Sequence, residues 1–172
     1  MRIPAIDPDT GHLHVIVETP KGSRNKLDYD EDLGVFRLGG VLPAGAVFPY
    51  DFGMVPSTLG GDGDPLDVLL LLDEAVPTGC LVVSRLIGVL EAEQTEQEVT
   101  QRNDRLIAVA AKSPGHDHVH RLDDLPALLI DEIEHFFASY NHFKEKRFDV
   151  LARSSPERAQ EIVDEGVRRH PG

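Results

Sequence analysis

The chain has 172 residues, 41% hydrophobic and 27% charged, with a net charge of −13. That length suits a single domain over residues 1–172, and the acidity argues against nucleic acid as a partner. The lone Cys80 excludes an internal disulfide and a cysteine-built zinc cluster, and is expected to fill core space. No apolar run approaches the ~20 residues that would cross a membrane, and the start lacks a signal-peptide segment, so the cytoplasm is expected.

In chain order, "HLHVIVETP" alternates and is β-branched, which predicts a strand ending at Pro20. "KLDYDEDLGVFRL" predicts a hairpin turning at Glu31 to Gly34. "VLPAGAVFPYDFGMVPST" is rich in proline and glycine, as a long structured loop would be. "LDVLLLL", "GCLVVSRLIGVLEAE" and "DRLIAVAA" predict buried strands, and the polar "EAEQTEQEVTQRND" between the last two predicts a loop. In "DDLPALLIDEIEHFFASY", Leu125, Leu129, Ile133, Phe136, Phe137 and Tyr140 recur at helical spacing, with Pro126 in the first turn. "SSPERAQEIVDEGVRRH" predicts a second helix, capped by Ser154 or Ser155 and started by Pro156. Many strands followed by two helices suggest a small closed barrel with helices packed on it.

The stretch "GGDGDPLDVLLLL" places Asp62, Asp64 and Asp67 within six residues, against an apolar run. Pro65 pushes Asp64 towards an extended backbone, and Gly61 and Gly63 permit a bend around Asp62. Carboxylates gathered without a counter-charge raise each other's pKa and destabilise the fold. A divalent cation removes that conflict, and an all-oxygen donor set favours magnesium, then manganese or calcium. The competing reading is a solvated acidic turn capping a strand. An EF-hand fits poorly, because Pro65 and Leu66 interrupt its ligand spacing. His116, His118 and His120 of "GHDHVH" share a face if extended, as zinc ligands do, or belong to a variable loop.

"DGDPLDV" resembles the Asp-x-Asp-Pro-hydrophobic-Asp signature of the soluble family I inorganic pyrophosphatases. "VIVETP", "KLDYD", "VFPYDFGMVPSTLGGDGDPLDVLLL", "SRLIGVLEAE", "RLIAVAAKS" and "DLPALLIDEIEHFFASYN" follow that family's segments in the same order, from about Val15 to Leu151. The resemblance implies an α+β, mainly β fold: an OB-like five-stranded closed barrel with flanking helices. It implies hydrolysis of pyrophosphate to two phosphates by a metal-activated water, with several magnesium ions, manganese as a substitute, and a homo-oligomer. It assigns Asp62, Asp67 and Glu18 to metal, with Asp67 bridging two ions. Asp64 orients or deprotonates the attacking water. Lys26, Arg105 and Tyr140 contact phosphate, and Asp28 joins the catalytic set from just behind the groups that touch metal and substrate.

Departures from the pattern leave other positions open. The family's tyrosines are Phe48 and Phe52 here, and its arginine position is Gly40, for which Arg37 substitutes only if the backbone shifts. Lys144 follows the position where the family's lysine has become Asn141. In "EQEVTQRNDRL", Asn103 stands where a metal-binding carboxylate is expected. A shift of one residue is expected to aim Asp104 at the metals and Asn103 away, with Glu98 as the other loop carboxylate. Two alternatives use the same residues: a hydrolase of another phosphoanhydride, or a non-catalytic protein binding metal or phosphate. Retention of Asp64 beside Asp62 and Asp67 disfavours the second.

Overall fold

A computed structural model describes residues 3–171. Among the described residues nine strands form: β1 (Leu13–Thr19), β2 (Asn25–Asp30), β3 (Val35–Val41), β4 (Asp51–Met54), β5 (Asp67–Leu71), β6 (Leu81–Glu96), β7 (Val99–Arg102), β8 (Arg105–Ala110) and β9 (Arg147–Ser154). Two helices accompany them, α1 (Ala127–His142) and α2 (Pro156–Arg169). The hydrogen-bonded path runs β1-β4-β5-β8-β6 and returns from β6 to β1, a ring of five strands. Only β5 and β8 pair in parallel within it. β6 is long enough, at 16 residues, to pair with β1 and β8 early and with β7 and β9 later. The expected mainly β architecture with flanking helices is therefore present.

Burial on both faces explains the unbroken apolar runs of β5 and β8. Leu69, Leu71, Ile107 and Val109 join one cluster with Ile130, Ile133 and Phe137 of α1. Val68, Leu70, Leu106 and Ala108 join another with Ala159, Ile162 and Val163 of α2. Each buried side chain of this size contributes roughly 1.5–3 kcal/mol against exposure. Pro156 opens α2, and Ser155 caps it by accepting from the Arg158 amide. Pro126 lies one step outside α1, as its N-cap.

Four sequence expectations need correction. The proline- and glycine-rich segment contains β4, a fully buried member of the ring. Its Gly53 is there because a Cβ would lie 2.2 Å from the Ile16 carbonyl on β1, so a residue read as a loop signal marks close strand packing. The polar stretch after Glu91 is no loop: β6 continues to Glu96, turns at Gln97 and Glu98, and returns as β7. β9 separates the helices and escaped notice because half of its residues are exposed. Cys80 sits half-buried in the turn before β6 instead of in the core.

Candidate active site

A cleft of about 420 Å³ opens where the acidic loop, the β2–β3 hairpin, the β6–β7 hairpin and the end of α1 meet. Asp62, Asp64 and Asp67 line it together with Glu18, Lys26, Asp28, Asn103, Arg105, Tyr140 and Lys144. Strand alternation accounts for the β2 contribution: Lys26 and Asp28 are two apart, so both face the cleft. Lys26 is buried, 2.5 Å from Asp28 and 3.6 Å from Glu18. Its ammonium also lies 5.1 Å from the Phe52 ring centre. Gly39 on β3 makes room for Asp28, since a Cβ there would overlap its carboxylate at 1.6 Å.

Register brings the two ends of the constellation together. β5 and β8 pair Asp67 with Arg105, and Asp67 Oδ2 lies 2.5 Å from Arg105 Nη1. The buried guanidinium sits 5.3 and 5.2 Å from the Phe137 and Phe148 rings, and also donates to Asn103 Oδ1. Tyr140 stacks on Phe136 and meets the edge of Phe48. Its hydroxyl is buried without a hydrogen-bond partner, an arrangement that invites an acceptor. Lys144 lies 4.6 Å from the Tyr140 ring centre.

Burial and crowding raise the acids. Desolvation pushes Glu18 up to about 7 despite Lys26 nearby. Burial raises Asp67, opposed by Arg105, and raises Asp64 with help from Asp62 and Asp28. Burial raises the Tyr140 phenol and lowers Lys144. The folded chain therefore holds the Glu18 proton more tightly than the unfolded chain, whose carboxyl titrates near 4.5. Its contribution to stability is complete below pH 4.5 and is lost as the pH rises through 7, about 3 kcal/mol in all. In metal-free protein, Glu18→Gln is expected to remove that part of the decline. Thermal unfolding of both forms between pH 4.5 and 8 checks it, and parallel curves would refute it.

The structure leaves three expected site residues outside the cleft. Arg37 is exposed and 2.9 Å from Asp30, so no backbone shift carries it inward. Glu98 occupies the β6–β7 turn at φ 66°, and Glu96 lines the cleft in its place. The one-residue shift of Asp104 does not occur: Asn103 faces the cleft. Asp104 Oδ1 accepts from the Ala92 amide at 2.9 Å and from Arg102 at 2.7 Å, beside an adjoining cavity that shares Asp62, Asp67 and Asn103 with the cleft. Alternation lets only one of the two neighbours face the cleft, and the Ala92 and Arg102 contacts of Asp104 decide which. Asp104→Ala is now expected to cost ~1–3 kcal/mol of stability by orphaning the Ala92 amide. Its half-maximal magnesium for activity should stay unchanged; a large rise would restore Asp104 as a ligand.

Gln94, Gln101 and Lys146 also line the cleft. The two glutamines carry no site signal in the sequence, because their polar segment reads as a loop. The β-branched Thr95, Val99 and Thr100 around them were the available strand signal.

Does this donor set fit a divalent cation? Six carboxylates line one cleft, and three are raised by burial or by one another, the conflict that a cation relieves. Among the described residues no group of three or more His, Cys, Asp or Glu is already gathered as a metal cage, His116, His118 and His120 included. The set fits by its chemistry, because carboxylate oxygens are the donors that a hard divalent cation takes.

A five-stranded ring bearing an acidic cleft rimmed by lysine, arginine and an unpartnered tyrosine defines a class: small β proteins equipped to take a polyanion between carboxylates and cations. The chain belongs to the inorganic pyrophosphatase family, whose profile matches residues 15–170. It is similar to the inorganic pyrophosphatase of Synechocystis, 36% identical over 98% of this chain and 97% of that one. The relative from Halalkalibacterium halodurans is also 36% identical, over 98% and 99%. The crystal structure of the Thermus thermophilus inorganic pyrophosphatase superposes with a TM-score of 0.89 at 34% identity, covering 99% and 98% of the two chains.

Proposed function

We propose that this chain hydrolyses inorganic pyrophosphate to two phosphates with magnesium at the cleft. The convergence of Asp62, Asp64 and Asp67 with Lys26, Arg105 and Tyr140 on one cavity carries that reading. Asp62, Asp67 and Glu18 are the metal-holding residues. Bound magnesium supplies charge neutralisation and a water acidic enough to attack near neutral pH. The chain's own groups do the rest. Asp64, half desolvated beside Asp62, orients that water and accepts its proton. Lys26 and Arg105 offer donors to phosphate oxygens, and the orphaned Tyr140 hydroxyl donates a further hydrogen bond. Asp28 holds the Lys26 ammonium in place at 2.5 Å. Lys144 adds positive charge at the rim. Departure of phosphate is thus driven by positioning and charge.

The test is phosphate release from pyrophosphate, beside ATP and tripolyphosphate. Activity is expected to need millimolar magnesium and to be blocked by calcium, whose looser shell holds the attacking water poorly. Manganese is expected to substitute. Full turnover in excess EDTA, or with calcium alone, overturns the reading; preference for ATP or tripolyphosphate favours the other-phosphoanhydride alternative.

No helix among the described residues is long and apolar enough to cross a membrane. A cytoplasmic homo-oligomer is our reading. Exposed Leu33, Val35, Leu38 and Val41 on the β2–β3 hairpin support self-association.

A further inference from the structure

The β6–β7 side of the cleft carries a hydrogen-bond chain whose direction is dictated at one end. Arginine can only donate. Arg105 Nη1 meets Asn103 Oδ1, so Asn103 turns its carbonyl to the arginine and its amide NH2 away. That NH2 donates to Gln94 Oε1 at 3.0 Å. Gln94 therefore has its carbonyl engaged, and both Nε2 hydrogens remain past the end of the chain, in the cleft that Gln94 lines. Gln101 stands directly across the hairpin and lines the cleft as well. The nearby Glu96 carboxylate is 2.9 Å from Lys146, so that pair adds little net charge.

The cleft is thus chemically two-sided. The acidic loop, β1 and β2 present carboxylates, which take cations. The β6–β7 hairpin presents amide donors, which take anions. The Asn103 oxygen that a cation would need already accepts from Arg105. The orientation is passed along the hydrogen bonds: the guanidinium orients Asn103, and Asn103 orients Gln94.

We propose that Gln94 is a substrate-binding, specificity-determining residue that donates to the phosphate lying away from the cations, with Asn103 as its positioning residue. This rests on the pyrophosphatase reading above and names the group that holds one end of its substrate.

Three substitutions test it: Gln94→Leu, Gln94→Glu and Asn103→Asp. Gln94→Leu removes the donors without adding charge, and Gln94→Glu turns them into acceptors. Asn103→Asp keeps the Arg105 contact but can no longer donate to Gln94. Three quantities are read: KM and kcat for pyrophosphate, binding of inorganic phosphate at saturating magnesium by calorimetry, and Mn²⁺ binding without substrate by electron paramagnetic resonance. Gln94→Leu is expected to raise KM and weaken phosphate roughly tenfold, the scale of a lost hydrogen bond to a charged group. Its kcat and Mn²⁺ affinity should stay within about threefold of the parent's. Gln94→Glu should raise KM further, and Asn103→Asp should reproduce the Gln94→Leu rise. A merely structural role for Asn103 would leave KM untouched in Asn103→Asp. An unchanged or lower KM in Gln94→Glu, or Mn²⁺ binding lost in Gln94→Leu with phosphate binding intact, overturns the proposal and puts a cation on this wall. If the parent chain releases no phosphate from pyrophosphate, the reading of the reaction fails, and calorimetry of phosphate alone still decides for or against Gln94.

Discussion

Asp67→Asn is expected to remove turnover and cation binding together. Asp67 is the acid that both the loop and the sheet aim into the cleft: it ends the Asp62–Asp67 run and begins β5. On the proposed reading Asp67 would hold metal, and a neutral amide would bring no charge to offset the cations there. The loss in kcat/KM should be on the order of 10³-fold or more, since charge stabilisation and the activated water vanish at once. A second effect follows from Arg105, which is buried and has the half-buried Asp67 at 2.5 Å as its charged partner. Neutralising that partner strands a buried guanidinium, costing about 3 kcal/mol, the lower end for a broken buried pair. The lower end applies because Asn103, the Asp104 carbonyl and two aromatic faces still surround it. The melting temperature should fall by roughly 6–12 °C. Circular dichroism at 25 °C confirms folding, and Mn²⁺ titration reads the site. Affinity retained within a few-fold would show that Asp67 serves Arg105 and not the metal.

Asp64→Asn should separate binding from chemistry. Its side chain keeps contact with solvent, while partial desolvation at the cleft wall and the Asp62 charge raise its carboxyl and so make it a better proton acceptor. No hydrogen bond commits its side chain, whereas its backbone amide donates to Asp62 at 3.2 Å. The substitution therefore leaves the loop's geometry alone and removes the proton acceptor. Turnover is expected to drop ~10²–10⁴-fold, the usual worth of a positioned base. Mn²⁺ affinity should change by less than tenfold, as for a group near the ligands and not among them. Comparable losses of Mn²⁺ affinity in Asp64→Asn and Asp67→Asn would mean that the two residues share one role.

The legible parts of this protein were those whose chemistry is local. Asp62, Asp64 and Asp67 announce themselves because three carboxylates in six residues against an apolar run need a reason. Lys26 and Asp28 share a face by strand alternation. The stripe from Leu125 to Tyr140 and the run Val68–Leu71 name their own partners by period and burial. The resemblance of ordered segments then located Glu18, Arg105 and Tyr140, each of which the structure places at the one cleft.

What remained hidden depended on pairing between distant segments. β4 is a strand because β1 and β5 flank it, and its glycine reads as a loop until the Ile16 carbonyl is seen against it. The hairpin holding Gln94 and Gln101 is polar because one face borders the cleft, so it lacks the apolar signal of a buried strand. The choice between Asn103 and Asp104 could not be made from spacing. It was made by Arg102 and the Ala92 amide, which engage Asp104, and by Arg105, which turns Asn103 to the cleft. Sequence by itself determined which residues carry charge and which strands and helices must bury their apolar faces, since both follow from side-chain chemistry at short range. Only the tertiary structure decided which charges meet, because ion pairs and hydrogen bonds act over a few ångströms and the chain reaches those distances by folding.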